Sequence, residues 1–261
     1  MTRGCRPGIR FGAAAVLVLT LGACSSVPVT PTAERETPAV LAPARKAPSA
    51  TVPRGDARPT VTPSLALETR RALVGGARQW LGLGLRQFEV EGIRYPADCS
   101  GYVQAVYAGS GLPFRERLIA LPASEGGAAA AIYRLMLDSG EFYADPGQVL
   151  PGDLIFWDNT YDRNRNGRLD DPLTHVAIAE RVDADGTVHY LHRGSRGVTV
   201  GYLNLSRPDS QRDAGGKTLN SGVRQRRPGD PPGTRYLSSH LFVAFGRFDP
   251  RLWTAGQSSG N

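Results

Sequence analysis

The chain has 261 residues, which is enough for one sizeable domain with appendages. With 41% hydrophobic residues and 21% charged residues, its composition is that of a folded protein rather than a fibrous or wholly disordered one. The formal net charge of +7 is not accompanied by interleaved basic and aromatic residues or by a nucleic-acid motif. We therefore expect no nucleic acid among its partners.

The first residues have the order of an export signal. Arg3, Arg6 and Arg10 precede an apolar run from Phe11 to Leu21, and no acidic residue occurs among the first 33. The run is shorter than the roughly 20 apolar residues that a membrane-spanning helix needs. We therefore expect a signal peptide over residues 1–23.

The end of this segment, Leu21-Gly-Ala-Cys24, resembles the lipobox of bacterial lipoproteins. The resemblance implies that Cys24 is lipidated and holds the protein on a membrane, since a multi-acyl anchor binds far better than one chain. The residue after Cys24 is Ser25 and not Asp, which in such lipoproteins implies attachment to the outer membrane and a periplasmic location. An ordinary secretion signal with an incidental Cys is the alternative.

Loss of the three signal arginines lowers the net charge from +7 to +4, which suits an anionic wall.

Residues 24–64 are rich in Pro, Ala, Thr and Ser and lack aromatics, so we expect a semi-extended, disordered tether. A folded domain is predicted over residues 65–250, followed by a tail over 251–261. Within the domain, residues 206–235 form a long, polar, Gly- and Pro-rich insertion, which a compact domain carries either for function or as disorder.

Within the domain, predicted helices precede predicted strands. Helical periodicity covers 65–81, 99–108 and 124–138. This order predicts an α+β fold, with N-terminal helices packed on an antiparallel sheet. The predicted strands are 153–157, a hairpin of 175–182 and 187–193 around Asp183-Ala-Asp-Gly186, 198–203 and 241–248.

The three cysteines point to one reactive thiol. Cys5 lies in the signal and Cys24 is the expected lipidation site, which leaves Cys99 unpaired in an exported protein. Asp98 is a favourable N-cap, so Cys99 is expected in the first turn of a helix, where the dipole lowers a thiol pKa. Catalysis is the leading explanation of this thiol, and an inert buried Cys is the alternative.

A cysteine nucleophile needs a base, and the chain has four histidines. An even-length loop in the predicted hairpin places His175 and His192 on the same face as near-diagonal neighbours, and His189 on the opposite face. His240 precedes the last strand and is interpreted as a surface residue. His175 is then the candidate base, and His192 orients it by hydrogen-bonding its other ring nitrogen. A purely structural role is the alternative for His192.

The mechanism that this set predicts is nucleophilic. His175 takes the proton of Cys99, the thiolate attacks a carbonyl, and amides at the helix start stabilise the oxyanion. His175 then protonates the leaving amine, and water releases the acyl-enzyme.

Four motifs in order resemble the NlpC-type cell-wall cysteine peptidases and the related CHAP amidases and peptidases, both of the papain-like superfamily. The resemblance covers about residues 73–203. It implies a helix-start Cys packed on an antiparallel sheet, with Cys99, His175 and His192 as nucleophile, base and orienting residue. The motifs are Asp98-Cys-Ser-Gly-Tyr102, Pro151-Gly-Asp-Leu-Ile-Phe-Trp157, Thr174-His-Val-Ala-Ile178 and Tyr190-Leu-His192.

The resemblance further implies that the protein is a peptidoglycan hydrolase, which cleaves peptide or amide bonds and needs no cofactor for its chemistry. We expect a monomer whose partners are the cell wall and, through its lipid, the membrane. One family feature is missing: members usually carry a Pro-Tyr-x-Trp-Gly-Gly segment before the Cys, but residues 84–90 lack it, and Tyr95 is not a clean substitute.

A polar stretch before His175 resembles an EF-hand-type calcium loop. Oxygen ligands stand at alternate positions in Asp162, Asn164, Asn166 and Asp170, and the Gly after Asn166 allows the sharp turn. Leu173 stands where the bidentate Glu is expected. The stretch therefore predicts either a structural calcium ion, which would brace the loop leading to His175, or an Asx-rich turn held by its own side chains.

Three other functions remain open. A papain-like acyltransferase or transglutaminase-like enzyme would use the same Cys-His chemistry with another acceptor. A non-enzymatic wall-binding lipoprotein would not need Cys99 and His175, both of which are present. A calcium-dependent adhesion module would use the loop at Asp162 and would not need the thiol.

Overall fold

The computed structural model describes residues 63–112, 114–121 and 126–248. The predicted signal peptide, Cys24, the predicted tether up to residue 62 and the predicted tail lie outside these residues. Among the described residues, no helix is long and apolar enough to cross a membrane.

The structure confirms the mixed α+β class. The first helix begins at Pro63, two residues before the predicted domain start. A single turn of 3-10 helix at Pro146–Gln148 joins two of the strands. In chain order the elements are α1 (Pro63–Arg78), β1 (Gln87–Val90), β2 (Ile93–Pro96), α2 (Cys99–Gly109), α3 (Phe114–Ala120), α4 (Ala128–Ser139), β3 (Gly140–Tyr143), β4 (Leu154–Trp157), β5 (His175–Val182), β6 (Val188–Gly194), β7 (Gly197–Leu203), α5 (Ser238–Leu241) and β8 (Phe242–Phe248).

The main sheet has six strands in the order β3-β8-β4-β5-β6-β7, and every pairing in it is antiparallel. β1 and β2 form a separate hairpin. The predicted antiparallel sheet is therefore confirmed. In the β4–β5 register Trp157 lies opposite His175, which places the start of β5 beside a large buried aromatic ring.

Helices α1 to α4 contribute to one buried cluster on one face of this sheet. Tyr102, Val103 and Val106 of α2 belong to the same buried cluster as Val176 of β5 and Leu191 of β6. Fully burying such a side chain contributes about 1.5–3 kcal/mol. The apolar stripe of α2 therefore fixes this helix, and the Cys at its start, against the two strands that carry the histidines.

Two tyrosine hydroxyl hydrogen bonds and a close approach at one glycine fix the position of α2. The buried hydroxyl of Tyr102 donates to the Ala77 carbonyl at 2.7 Å, and that of Tyr107 donates to the Gly152 carbonyl at 2.9 Å. A Cβ on Gly101 would lie 2.0 Å from the Pro96 carbonyl oxygen. The first turn of α2 can therefore approach β2 only because residue 101 has no side chain.

The β5–β6 hairpin reaches its register by a different route from the one predicted. Val182 pairs with Val188, so the connection has five residues, not the even number expected. A bulge between Ala179 and Arg181 then shifts the register by one residue. The bulge restores the parity that the loop changes, and His175 and His192 still share a face.

The β1–β2 hairpin, α3, β3, the 3-10 turn and α5 were not predicted. The hairpin turns at Glu91 and Gly92, both with positive φ, and such turns are recognised from sequence mainly by Asn-Gly or Asp-Gly. β3 is a partly exposed edge strand that pairs only with β8, so its sequence lacks the continuous apolar run of a central strand.

The 206–235 insertion contains no named helix or strand, yet it is held by buried polar side chains. Asn220 is fully buried; its Oδ1 accepts from the Asn204 backbone N–H at 2.8 Å. The Nδ2 of the same residue donates to the carbonyls of Arg207 and Ser210, both at 2.9 Å. These bonds satisfy part of the backbone of a loop that has no strand partners, so the insertion is ordered rather than disordered.

Gly101→Ala is expected to lower the free energy of unfolding by more than about 2 kcal/mol, because the methyl group meets backbone that cannot move aside. The matched control is Gly75→Ala in α1, where a Cβ meets nothing within 4 Å and a gain of about 0.5–1 kcal/mol is expected. Urea unfolding measures both. Equal stability of the two variants would contradict the described position of α2.

Candidate active site

Cys99 is the first residue of α2, as predicted, and Asp98 is the N-cap. The Asp98 Oδ1 accepts hydrogen bonds from the Gly101 backbone N–H at 2.8 Å and from the Ser100 hydroxyl at 2.7 Å. The first N–H groups of a helix have no intrahelical carbonyl partner, and the Asp98 cap binds that of Gly101 and leaves those of Cys99 and Ser100. These are the amides nearest the sulfur.

The Cys99 thiol is partly exposed and is a free cysteine. Desolvation by the surrounding protein raises its pKa to about 11, and the charge of Asp98 raises it further. Backbone N–H groups of Val176, Ser100 and Cys99 itself lower the pKa, but by less. The expectation that the helix start would depress this pKa is therefore wrong, because desolvation of the sulfur outweighs the amides.

His175 and His192 lie together, as the shared face predicts. His175 Nε2 and His192 Nδ1 are 2.8 Å apart, and the two rings are perpendicular. This contact uses Nε2 of His175, so Nδ1 is the ring nitrogen left for a proton transfer. Trp157 and Tyr190, both fully buried, lie against the two imidazoles at ring distances of 5.6 and 5.2 Å.

The electrostatics keep both imidazoles neutral near pH 7. Burial holds the pKa of His175 well below its usual 6.5, and the charge that His192 would carry lowers it further. Burial lowers the pKa of His192 to about 4. When the Nε2–H of His175 is donated to His192 Nδ1, the Nδ1 of His175 is free to accept a proton; the opposite tautomers would reverse the bond and protonate His175 Nδ1.

The other two histidines lie outside the cleft. His189 faces the opposite side of β6, as predicted, and its Nε2 lies 2.9 Å from Asp183 Oδ2. His240 Nε2 lies 2.8 Å from the exposed carboxylate of Asp209. Both contacts are local, so neither histidine competes with His175 for the role of base.

A cleft of about 770 Å³ contains Cys99, His175 and His192. Such a volume is that of a site for a small molecule or a short peptide. Its walls come from the start of α2, the loop around residues 160–162, the turn after β6 at 193–196, and residues 222–231 of the insertion. The insertion, which has no counterpart in the resemblance, therefore forms part of the site.

Of the two tyrosines Tyr95 and Tyr161, the one that lines the cleft was not predicted. Tyr95, the nearest tyrosine to the missing family segment, is buried in the core with 2% of its surface exposed and does not line the cleft. Tyr161 lines the cleft with 46% exposure. Desolvation, followed by the charge of Cys99, raises the Tyr161 pKa. No local motif marks Tyr161, because the fold of the loop brings it there.

The four predicted calcium ligands lie close together, but they bond to one another and to the backbone. Asp162 accepts from the backbone N–H groups of Asn166 and Gly167, at 3.2 and 2.9 Å. Both oxygens of Asp170 accept from the Asn166 side-chain amide at 3.1 Å, and Asn164 donates to Asp170 at 3.2 Å. These side-chain bonds lower the Asp170 pKa.

This pattern supports the alternative of an Asx-rich turn. Among the described residues, no group of three or more His, Cys, Asp or Glu side chains could hold a metal ion. The buried anchor of the loop is Asp171, 1% exposed, which accepts from the backbone N–H groups of Arg163 and Asn164 at 3.1 and 3.3 Å. The loop is therefore braced by a buried carboxylate, and the structural calcium stays a prediction.

No protein-family model, curated protein or solved structure matches this chain.

The raised thiol pKa predicts the pH dependence of Cys99 alkylation. In a protein whose other cysteines are replaced (Cys5→Ser, Cys24→Ser), the iodoacetamide rate should rise about tenfold per pH unit from pH 7 to 10, because only the thiolate reacts. In urea, where the chain is unfolded, the alkylation rate of Cys99 should level off around a midpoint near pH 9. A folded-state rate that is already constant at pH 7 would instead reveal a thiolate–imidazolium pair.

The depressed histidine pKa values predict a loss of stability in mild acid. Unfolded histidines take up protons below about pH 6.5, whereas folded His192 does so only near pH 4, so stability falls across that interval as pH decreases. Each of His175 and His192 should contribute about 1 kcal/mol of this loss between pH 7 and 5.5. Urea unfolding of His192→Asn should show a shallower decline. An unchanged decline would contradict the burial of a neutral His192.

Proposed function

We propose that the protein is a thiol hydrolase of peptide or amide bonds in the bacterial cell wall. The observation that carries the proposal is one cleft lined by Cys99, at a capped helix start, and by His175 and His192, whose ring nitrogens are 2.8 Å apart. A nucleophile, a base and a residue that orients the base are the parts that acyl transfer through a thiol requires.

In the proposed first step the thiol loses its proton as it attacks. Because the pKa of Cys99 is about 11 and His175 is neutral, His175 Nδ1 takes the proton while sulfur bonds to the carbonyl carbon. The imidazolium then donates this proton to the leaving amine. Water, deprotonated by His175, attacks the thioester and releases the acid and the free thiol.

The charge that develops on the carbonyl oxygen has donors nearby. The backbone N–H groups of Cys99 and Ser100 lie at the start of α2, next to the sulfur, and are free of intrahelical bonds. His192 supports the imidazolium of His175 through the Nε2–Nδ1 bond. We assign it a positioning role because its contact is to the base.

The papain-like NlpC-type fold is part of the same proposal. A helix-start Cys packed on an antiparallel sheet, with the histidine on the next strand, is the arrangement that the family resemblance implies. Lipidation at Cys24 and attachment to the outer membrane, facing the periplasm, would keep the cleft beside the wall. The proposal requires no cofactor, and a calcium ion at the Asp162 loop would have only a structural role.

An acyltransferase is the second candidate, because the same cleft would release its thioester to an amine instead of water. The free thiol and the paired histidines favour either enzyme over a wall-binding lipoprotein or a calcium-dependent adhesion module, neither of which needs them. Mass spectrometry of the products separates hydrolysis, which adds water, from transfer, which joins two fragments.

The test is digestion of purified sacculi by the protein, with released fragments identified by mass spectrometry. Wild type should release fragments, and Cys99→Ala and His175→Ala should release none, because nucleophile and base are both required. His192→Leu should lose about 10²–10³-fold in kcat. His192→Asn should recover part of it, since its amide oxygen can accept the same bond.

His240→Asn is the matched histidine control and should keep wild-type activity, because the His240 imidazole does not line the cleft and lies 2.8 Å from Asp209. Release of the same fragments by Cys99→Ala would contradict the thiol mechanism. Inactivity of the reduced wild-type protein toward sacculi, with calcium present, would contradict the wall as substrate.

A further inference from the structure

Four arginines line the candidate cleft. Arg193 and Arg196 come from the end of β6 and the turn that follows, and Arg224 and Arg227 come from the insertion. We refer to these four residues as the arginine wall. Arg196 lies in a turn and Arg224 and Arg227 lie in the insertion, so sequence motifs gave no reason to place these four guanidinium groups around one cavity.

Three carboxylates also line the cleft, but only one of them forms an ion pair with these arginines among the described residues. Asp98 serves the N-cap of α2, and Asp162 accepts backbone N–H groups of its own loop. Asp230 pairs with Arg224 at 3.4 Å. Over residues 63–112, 114–121 and 126–248, Asp230 is the one carboxylate that forms an ion pair with the arginine wall.

Two buried donors of the wall have no acceptor within the described part of the chain. The Arg224 side chain is 7% exposed; its Nη1 donates to the Asn159 carbonyl at 2.6 Å, whereas its Nε has no partner. The Nε of Arg193 is also buried without a partner. A buried donor left without an acceptor is unfavourable, so these two guanidinium groups have unused hydrogen-bonding capacity beside the cleft.

We propose that the arginine wall binds a carboxylate of the substrate, so that the enzyme selects acidic peptides. This inference rests on the proposed hydrolase function and names its substrate class. A guanidinium offers a planar fork of donors that matches a carboxylate, and it stays charged at every working pH. The wall shares one cleft with Cys99, so a short peptide can occupy both.

The carboxylate has two possible sources, an acidic side chain or the peptide C-terminus. Three peptides of the same sequence separate them: one with both carboxylates free, one with the acidic side chain amidated, and one with the C-terminus amidated. We expect amidation of the recognised carboxylate to lower kcat/KM about tenfold, and amidation of the other to have little effect. Equal kcat/KM for all three peptides would overturn the inference.

The variant for this test is Arg196→Gln/Arg227→Gln, since both residues are exposed and line the cleft. Its KM for the acidic peptide should rise about tenfold with kcat nearly unchanged, and its KM for the peptide amidated at the recognised carboxylate should change little. The control is Arg212→Gln/Arg235→Gln, which removes two exposed charges of the same insertion outside the cleft. An equal rise of KM in the control would show that net charge, not the wall, is responsible.

Binding separates failure of this inference from failure of the hydrolase proposal. If no peptide is cleaved, isothermal titration of Cys99→Ala with the same three peptides still reports the preference. Tighter binding of the free-acid peptide, lost in a variant that also carries Arg196→Gln and Arg227→Gln, supports the arginine wall. The same affinity for acidic and amidated peptides would refute it, whatever the activity.

Discussion

The 2.8 Å hydrogen bond between His175 and His192 is the interaction on which the site depends. It requires that both side chains leave the sheet on one face, and this depends on the bulge between Ala179 and Arg181. Without the bulge, a five-residue connection would turn His192 to the other face. The bulged residue, Glu180, is buried and ion-paired with Arg78 of α1, so the helical layer helps to hold the register of the site.

Burial has opposite effects on the two sides of the proton transfer. It raises the pKa of Cys99 and lowers that of His175, so the resting pair is neutral and no ion pair forms in advance. The same desolvation strengthens the interaction of the amides near the sulfur with charge in the cleft, because electrostatic interactions are stronger in a medium of low dielectric constant. A cleft of this kind favours charge that develops during reaction over charge that is already present.

Much of this arrangement could be predicted from the sequence because it depends on local pattern. The cap at Asp98, the helix from Cys99, the strands of the hairpin and the pairing of two histidines follow from periodicity and turn residues. The thiol pKa was predicted with the wrong sign, since helix position is visible in a sequence and desolvation is not. Tyr161 and the arginine wall were missed because only tertiary folding of loops and of the insertion brings them to Cys99.

Trapping of the acyl-enzyme tests the central claim most directly. The protein is mixed with soluble peptidoglycan fragments, quenched in acid within the first turnover, digested and mapped by mass spectrometry. The account predicts a hydroxylamine-labile thioester on Cys99 that is absent in Cys99→Ala. Consumption of the fragments without any adduct on Cys99, or with an adduct on a different residue, would contradict it.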